Sequence, residues 1–321
     1  MKKICTFFLF LYSFSLINAQ QIANWSSYYE NGFVWNPALT AKWNTTEFSL
    51  THQQEWIGFD AAPKYSTLSF QYPFSKYGNF TKAGIGAYLD YDKIGPFTKT
   101  GAALTYTYRI RPQLFGNNDD YLSFGIGGQM SRYTFRSDDL VGLDGISTDP
   151  QLIEQAQTSL KPNFNFGVFY MNAPSYYSLQ SHYYVGLSIN QAIPSRIFTT
   201  PALTSSLHAT MHFGYRYFET KRSSNYIEPN IMVIYAFSKA IHAMANLRYE
   251  ELNKFWLAGG IGTNGEIFIQ PGVILDSDSF IGPLVKDGAL RVGLKADYII
   301  GKFGNYAGLG YEGYISYIFE K

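Results

Sequence analysis

The chain is poor in charge, in cysteine and in long apolar runs. Only 15% of its 321 residues are charged, against about a quarter in typical soluble proteins. Beyond the amino-terminal segment, no run of about 18 apolar residues offers a membrane-spanning helix. A formal net charge of +1 argues against a nucleic-acid partner. Disorder is excluded as well, because 18% of the residues are aromatic.

The amino terminus has the pattern of a secretory signal peptide. Lys2 and Lys3 precede an apolar run from Ile4 to Ile17, which is followed by Ala19. We predict a signal peptide over residues 1–19 with cleavage after Ala19, the alternative being a retained amphipathic anchor. Cys5, the one cysteine, would leave with the signal peptide. The exported chain would then contain no disulfide.

Aromatic residues and glycine are abundant and follow a period of two. The chain has 27 tyrosines, 26 phenylalanines and 29 glycines. In windows such as 83–91 and 163–170, apolar residues alternate with small or polar ones, which is typical of half-buried strands. The pattern predicts about fourteen strands, near 45–53, 65–73, 82–92, 99–110, 119–134, 163–171, 182–189, 206–218, 227–237, 240–249, 254–262, 265–275, 289–299 and 307–319. Several have ~9–13 residues, and a tilted strand needs about 9–11 to cross a bilayer.

Two architectures fit this pattern, a soluble β-sandwich and a membrane barrel. The second face of the strands carries mostly Gly, Ser, Thr, Asn and Tyr, which suits a lumen better than the charged outer face of a sandwich. A closed barrel also leaves no free strand edge. We therefore predict an all-β fold, a transmembrane antiparallel β-barrel of about 14 strands over residues 45–321, with a short N-terminal periplasmic arm or plug at 20–44. Outer-membrane lipid is then its first partner, and the long connections 135–162 and 190–205 face outward, although 276–288 faces inward.

No pattern in the sequence nominates a catalytic, cofactor or metal site. Gly260, Gly262 and Gly265 match a dinucleotide-binding pattern, but they lie between two predicted strands rather than between a strand and a helix. Asn264-Gly265 instead predicts a hairpin with a type I′ turn. No cofactor, metal or catalytic residue is therefore expected, and a barrel lipase remains a remote alternative.

Histidines and paired carboxylates do not change this expectation. His208 and His212 share one strand face but lie roughly 13 Å apart, too far to bind one metal ion. Glu250-Glu251 and Asp119-Asp120 fall in predicted turns, where we expect solvated charge.

Charged residues within the strands predict an occupied lumen. On the lipid face a charge near the midplane costs ~2–4 kcal/mol, so these side chains should point inward. The candidates are His242, Arg248, Arg291, Lys295, Asp297 and Glu312. The interior of a barrel of this size exceeds what wall side chains fill, so either a plug or a passing solute is expected.

Several stretches resemble one protein family. They are Tyr28-Tyr29-Glu30-Asn31, Asn36-Pro37-Ala38, the run from His52 to Pro63, Asp92-Lys93-Ile94-Gly95-Pro96, Tyr106-Thr107-Tyr108-Arg109 and the run from Lys161 to Gly167. These resemble the PorP/SprF family of outer-membrane proteins, although the ending at Leu309–Tyr314 departs from the usual family pattern.

The resemblance implies a non-enzymatic component of the type IX secretion and gliding-motility system in the outer membrane of a Gram-negative bacterium. It implies as partners the periplasmic ring subunits of that system or a cognate secreted adhesin. The alternative is a channel or transporter for small or hydrophobic solutes. Candidates for a partner-facing or fold-defining cluster are Asn36, Pro37, Trp56, Gly58, Asp60 and Pro63, with Trp56 and Pro63 alternatively ordering a loop.

Overall fold

The computed structural model describes most of the chain after its first 27 residues. The described residues are 28–43, 45–59, 61–77, 80–114, 120–136, 156–172, 180–198, 203–219, 225–238, 240–252, 254–277, 288–301 and 304–319, with Ser279, Gly282 and Val285. The structure does not describe the predicted signal peptide, residue 44 or Asp60. The domain boundaries at 19 and 44 and the role of Asp60 therefore remain predictions.

Fourteen long strands form one closed antiparallel barrel, as predicted. They are β1 (Thr46–Gln54), β2 (Lys64–Tyr77), β3 (Phe80–Ile94), β4 (Phe97–Ile110), β5 (Tyr121–Phe135), β6 (Lys161–Met171), β7 (His182–Asn190), β8 (His208–Arg216), β9 (Asn225–Ala236), β10 (Ala240–Glu251), β11 (Phe255–Gly262), β12 (Glu266–Leu275), β13 (Gly288–Ile299) and β14 (Leu309–Phe319). Each strand pairs with its neighbours in sequence, and β1 pairs with β14 to close the barrel. We call the end where β1 begins and β14 ends the terminal end, and the opposite end the far end.

The remaining elements are short. Ala156–Gln157 extend the sheet beside the end of β5, and Arg196–Phe198 pair with Leu203–Thr204 in a small hairpin. A four-residue helix, Gly304–Ala307, precedes β14. Within the described residues, none of the helices is long and apolar enough to span a membrane.

The alternation of burial along each strand explains the mixed composition. In β4, Leu104 is 71% exposed on the outside, whereas its neighbour Ala103 is 5% exposed on the inside. The outward positions are mostly large and apolar and the inward positions mostly polar, as in β1, where Phe48 and Leu50 point out and Ser49 and Thr51 point in. An apolar outer band and a polar lumen are the arrangement that a barrel in lipid requires.

The hairpin between β11 and β12 differs from the predicted type I′ turn. That turn needs a positive φ at both central residues, but only Gly265 has one, at 84°. The amide of Gly265 instead donates to the carbonyl of Gly262 at 3.0 Å. This is a three-residue loop in which a type I turn over Thr263-Asn264 is followed by a left-handed glycine.

Candidate functional site

Residues 28–43, which we call the lumen segment, lie inside the barrel. Two short 3-10 turns, Gly32–Val34 and Pro37–Leu39, give this segment its shape. Asn36 begins the second turn, because its Oδ1 accepts a hydrogen bond from the amide of Ala38 at 2.9 Å and a proline follows it. Asn36 is 0% exposed, which is unusual for an amide side chain and requires hydrogen-bond partners.

A row of small residues in the barrel wall makes room for this turn. Gly84, Thr107, Gly125, Gly167 and Ser188 follow one another in register across β3 to β7. A Cβ on Gly125 would lie 2.1 Å from a backbone nitrogen of the turn, and one on Gly167 would lie 1.9 Å from Asn36 Oδ1. Glycine is therefore needed here for close approach of the two backbones.

Hydrogen bonds fasten the segment to the wall beside this groove. The side-chain Nδ2 of Asn36 donates to the carbonyls of Val168 in β6 and Leu187 in β7, both at 3.3 Å. Arg109 in β4 donates to the carbonyl of Thr40. The amide of Ala41 donates to Gln71 Oε1 in β2 at 2.8 Å. The segment thus contacts strands on several sides of the lumen.

At the terminal end, six charged residues form what we call the inner network. Its members are Glu30 of the lumen segment with Arg216, Glu228, Arg248, Glu250 and Arg291 of the wall. Glu30 pairs with Arg248 in β10 and, at 3.7 Å, with Arg291 in β13. Three carboxylates thus balance three guanidinium groups away from water, which is the condition under which buried charges are tolerated.

Two predictions about paired carboxylates are wrong. Glu250 is not in a solvated turn, because it is buried at the end of β10 and pairs with Arg248 at 2.6 Å and with Arg291 at 3.3 Å. Asp120 is also buried, and its Oδ2 accepts from the amide of Leu114 at 2.8 Å. Asp119 lies outside the described residues. In both cases burial is set by partners that a local turn pattern does not reveal.

The structure places all six candidate lumen charges on inward positions, in two separate groups. Arg248 and Arg291 belong to the inner network, whereas the other four lie toward the far end. There, Lys295 Nζ lies 3.1 Å from Glu266, 3.0 Å from Asp297 and 3.9 Å from Glu312. His242 faces the same part of the lumen and is 3% exposed.

The other sequence candidates fall in two places rather than one. Asn36 and Pro37 lie in the lumen, while Trp56, Gly58 and Pro63 belong to the connection between β1 and β2 at the far end. Trp56 has a φ of 51°, and the amide of Gly58 donates to the carbonyl of Ala307 at 3.0 Å. The carbonyl of Pro63 accepts from the amide of Glu55 at 3.0 Å, so backbone hydrogen bonds hold this connection at the rim, and the role of its residues remains a prediction.

Glu55 opens this connection and lies outside the strands. Burial raises the pKa of its carboxyl to about 8, and the charge of nearby Glu266 adds to the effect. Its Oε1 accepts from Gln53 Nε2 at 3.1 Å.

Glu30, Arg216 and Glu228, together with Arg109, were not among the sequence candidates. Arg216 and Glu228 occupy inward positions of strands that the alternation had located, so the same reasoning that selected Arg248 would have found them. Glu30 precedes the barrel in a segment without periodicity; it lies in the Tyr28–Asn31 stretch that carries the resemblance, but nothing local marked it as a partner of buried arginines. No group of three or more His, Cys, Asp or Glu among the described residues is arranged to hold a metal ion.

Comparison with known proteins gives both a family and a fold. The family described as type IX secretion system membrane protein PorP/SprF matches residues 17–317. No curated protein of established function matches the chain. Among solved structures, the CymD monoaromatic hydrocarbon channel superposes with a TM-score of 0.52 at 10% identity, covering 91% of this chain and 92% of that one.

A Pseudomonas aeruginosa FadL homologue (TM-score 0.47, 8% identity, 89% and 92% covered) and the NanC porin (0.41, 6%, 86% and 100%) are more distant. At such identities the likeness concerns the barrel fold. The family match covers nearly the whole chain, and the protein therefore belongs to the PorP/SprF family of outer-membrane β-barrels of the type IX secretion system.

Proposed function

We propose that this protein is a non-enzymatic component of a type IX secretion and gliding-motility system. In this role it docks periplasmic ring subunits or a cognate secreted adhesin and does not conduct solutes. The observation that carries the proposal is the lumen segment, which occupies the interior of the barrel and is fastened to its wall.

The attachment is spread around the lumen, which favours a static plug over an open pore. Glu30 reaches β10 and β13, Asn36 reaches β6 and β7, and Thr40 reaches β4, where its hydroxyl donates to Thr105 Oγ1 at 2.9 Å. A solute crossing the barrel would have to break contacts on opposite sides of the segment. Because buried charge pairs are costly to separate, free passage is disfavoured.

The alternative is a channel for small or hydrophobic solutes. It is favoured by the polar inward face of the strands and by the name of the CymD monoaromatic hydrocarbon channel. The two functions differ in what the purified protein does in a bilayer. A docking component with a closed lumen should give no stable conductance, whereas a channel should conduct or take up solute.

Two experiments test the proposal together. Deleting the gene should reduce the amount of secreted protein and the spreading of colonies, and the wild-type gene should restore both. Purified full-length protein in a planar bilayer should stay closed. Normal secretion and spreading in the deletion strain, or steady conductance by the wild-type barrel, would contradict the proposal. Co-purification from native membranes would then distinguish ring subunits from an adhesin as the docked partner.

A further inference from the structure

One row of inward residues crosses six neighbouring strands at the far end. Lys295 in β13 pairs in register with Glu312 in β14, which pairs with Gln53 in β1. Gln53 pairs with Tyr65 in β2, then the row continues through Asp92 in β3 to Lys99 in β4. We call these six residues the far-end row. Adjacent strands are about 4.8 Å apart, so the row covers roughly 24 Å of the wall.

Carboxylates outnumber lysines along this stretch of wall. Asp90, Glu266 and Asp297 flank the row, so that five carboxylates accompany the two lysines, while Glu55, whose pKa of about 8 keeps it largely protonated at neutral pH, lies at the edge of the row. The contacts that link them are short: Lys99 Nζ lies 2.9 Å from Asp90 Oδ2, and Glu55 is joined to the row through Gln53. The inner network is balanced, whereas the described residues of this stretch carry an excess of negative charge.

Two buried polar side chains of β10, three strands from Lys295, also point to a ligand. His242 Cε1 and Glu266 Cβ both lie within 3.5 Å of the position that a Cβ on Gly262 would take, so the two residues line the same part of the wall. Among the described residues, His242 Nε2 has no hydrogen-bond partner, and neither amide atom of Asn246 has one. Asn246 is 5% exposed and lies in register with Gly260, Phe268 and Asp297. Buried polar groups in such positions normally have partners.

We propose that the far-end row binds the basic side chains of a polypeptide that reaches the barrel from outside the cell, since the long connections 135–162 and 190–205, predicted to face outward, leave the barrel at this end. Lys295 indicates the chemistry, because one ammonium group already lies among three of the carboxylates. Ammonium and guanidinium donors suit carboxylate oxygens that are spread along a wall. A divalent cation needs its oxygen ligands converged at 2.3–2.6 Å, and the described residues contain no such group. The half-buried residues Glu55, Asp92 and Lys99 bring the row to the mouth of the barrel.

This inference rests on the proposed docking function and names the chemistry of the docked segment. The probe is a fluorescent peptide of alternating lysine and serine, added to purified full-length protein in nanodiscs and followed by anisotropy. The comparison probes are the same peptide with glutamate in place of lysine, and calcium chloride. Binding of the lysine peptide should weaken as salt rises, because exposed charges at the mouth are screened.

The variant Asp92→Asn with Glu312→Gln should weaken binding of the lysine peptide by roughly tenfold or more, since two charge-assisted contacts are lost. The matched control, Glu219→Gln with Glu251→Gln, removes two carboxylates near the terminal end and should leave binding unchanged. Heat-modifiable migration on gels checks that each barrel is folded. Should the first variant not fold, Asn246→Leu, which keeps every charge, is expected to weaken binding severalfold.

Equal binding of both peptides, equal binding by the double variant and wild type, or binding of calcium alone would overturn the inference. The outcomes also separate it from the proposed function. If the deletion strain is defective but the Asp92→Asn, Glu312→Gln protein restores secretion and binds the lysine peptide normally, only this inference fails. If deletion has no effect, the proposed function fails whatever the peptide does.

Discussion

Replacing Glu30 by Gln should release the lumen segment while leaving the barrel closed. Glu30 is the only member of the inner network that belongs to the segment, and its side chain is 4% exposed. The substitution keeps the size of the side chain but removes the charge that pairs with Arg248 and Arg291. Two buried guanidinium groups would then share the carboxylates that remain on the wall.

The size of the effect follows from these pairs. Removing one partner of a buried ion pair costs about 3–5 kcal/mol. Glu250 still lies 2.6 Å from Arg248 and 3.3 Å from Arg291, so the lower part of that range applies. A loss of about 3 kcal/mol raises the population of released segment by roughly two orders of magnitude.

Trypsin provides the assay, because the segment contains the Lys42–Trp43 bond. In the docked state Lys42 Nζ lies 4.3 Å from the ring of Trp43 and 4.5 Å from that of Tyr184, inside the barrel. Cleavage after Lys42 therefore reports release, and its rate follows the open population when reclosing is fast. Mass spectrometry of the new amino terminus at Trp43 separates this cut from cuts in surface turns.

The matched control is Glu251→Gln, which breaks a surface pair with Lys254 at 2.5 Å. Surface pairs contribute about 0–1 kcal/mol, so this variant should be cleaved after Lys42 at the wild-type rate. Adding Arg291→Gln to the Glu30 variant removes a surplus cation and should slow cleavage again. An unchanged cleavage rate in Glu30→Gln, or unfolding of the whole barrel before this bond is cut, would refute the reasoning.

Three further predictions concern the groove, the rim and the lipid face. Gly125→Val should release the segment in the same tryptic assay, because its Cβ alone would lie 2.1 Å from the nitrogen of Ala38, whereas Gly128→Val, with open space around it, should not. Burial raises the pKa of Glu55 from 4.5 to about 8, so its contribution to stability is complete below pH 4.5 and is lost as the pH rises through 8. Thermal unfolding between pH 5 and 9 should show this loss, and a Glu55→Gln variant with the same pH profile as wild type would contradict it. Leu104→Arg on the lipid face should cost ~2–4 kcal/mol and lower the yield of heat-modifiable barrel, while Leu104→Met should not.

The strands could be predicted because their signal is local. In stretches such as 83–91 and 206–218, successive side chains point to opposite faces of the strand. Because one face meets lipid and the other meets the polar lumen, apolar and polar residues alternate in all fourteen strands. The turn at Asn264-Gly265 was located correctly but its type was not, because Thr263 joins the loop and changes which residue needs a positive φ. Turn geometry depends on loop length as well as on the dipeptide.

The lumen segment could be anticipated only as an arm or plug. Its conformation depends on partners far along the chain, such as Val168 and Leu187 for Asn36. Glu250 is a mixed case: a local pattern assigns it to a solvated turn, whereas Arg248, two residues before it, and the remote Arg291 hold it in the lumen. Inward charge could be deduced from the cost of exposure to lipid, but the choice of partners depends on how the barrel closes.

The pairing of Glu30 with Arg248 and Arg291 has a consequence for the order of assembly. The lumen segment precedes every strand in the chain, yet its two charged partners lie in β10 and β13. Contacts over such sequence separations form only after the intervening chain has been placed. The first part of the folded chain to be made therefore reaches its final position late, and a docked segment marks a wall that is built at least as far as β13.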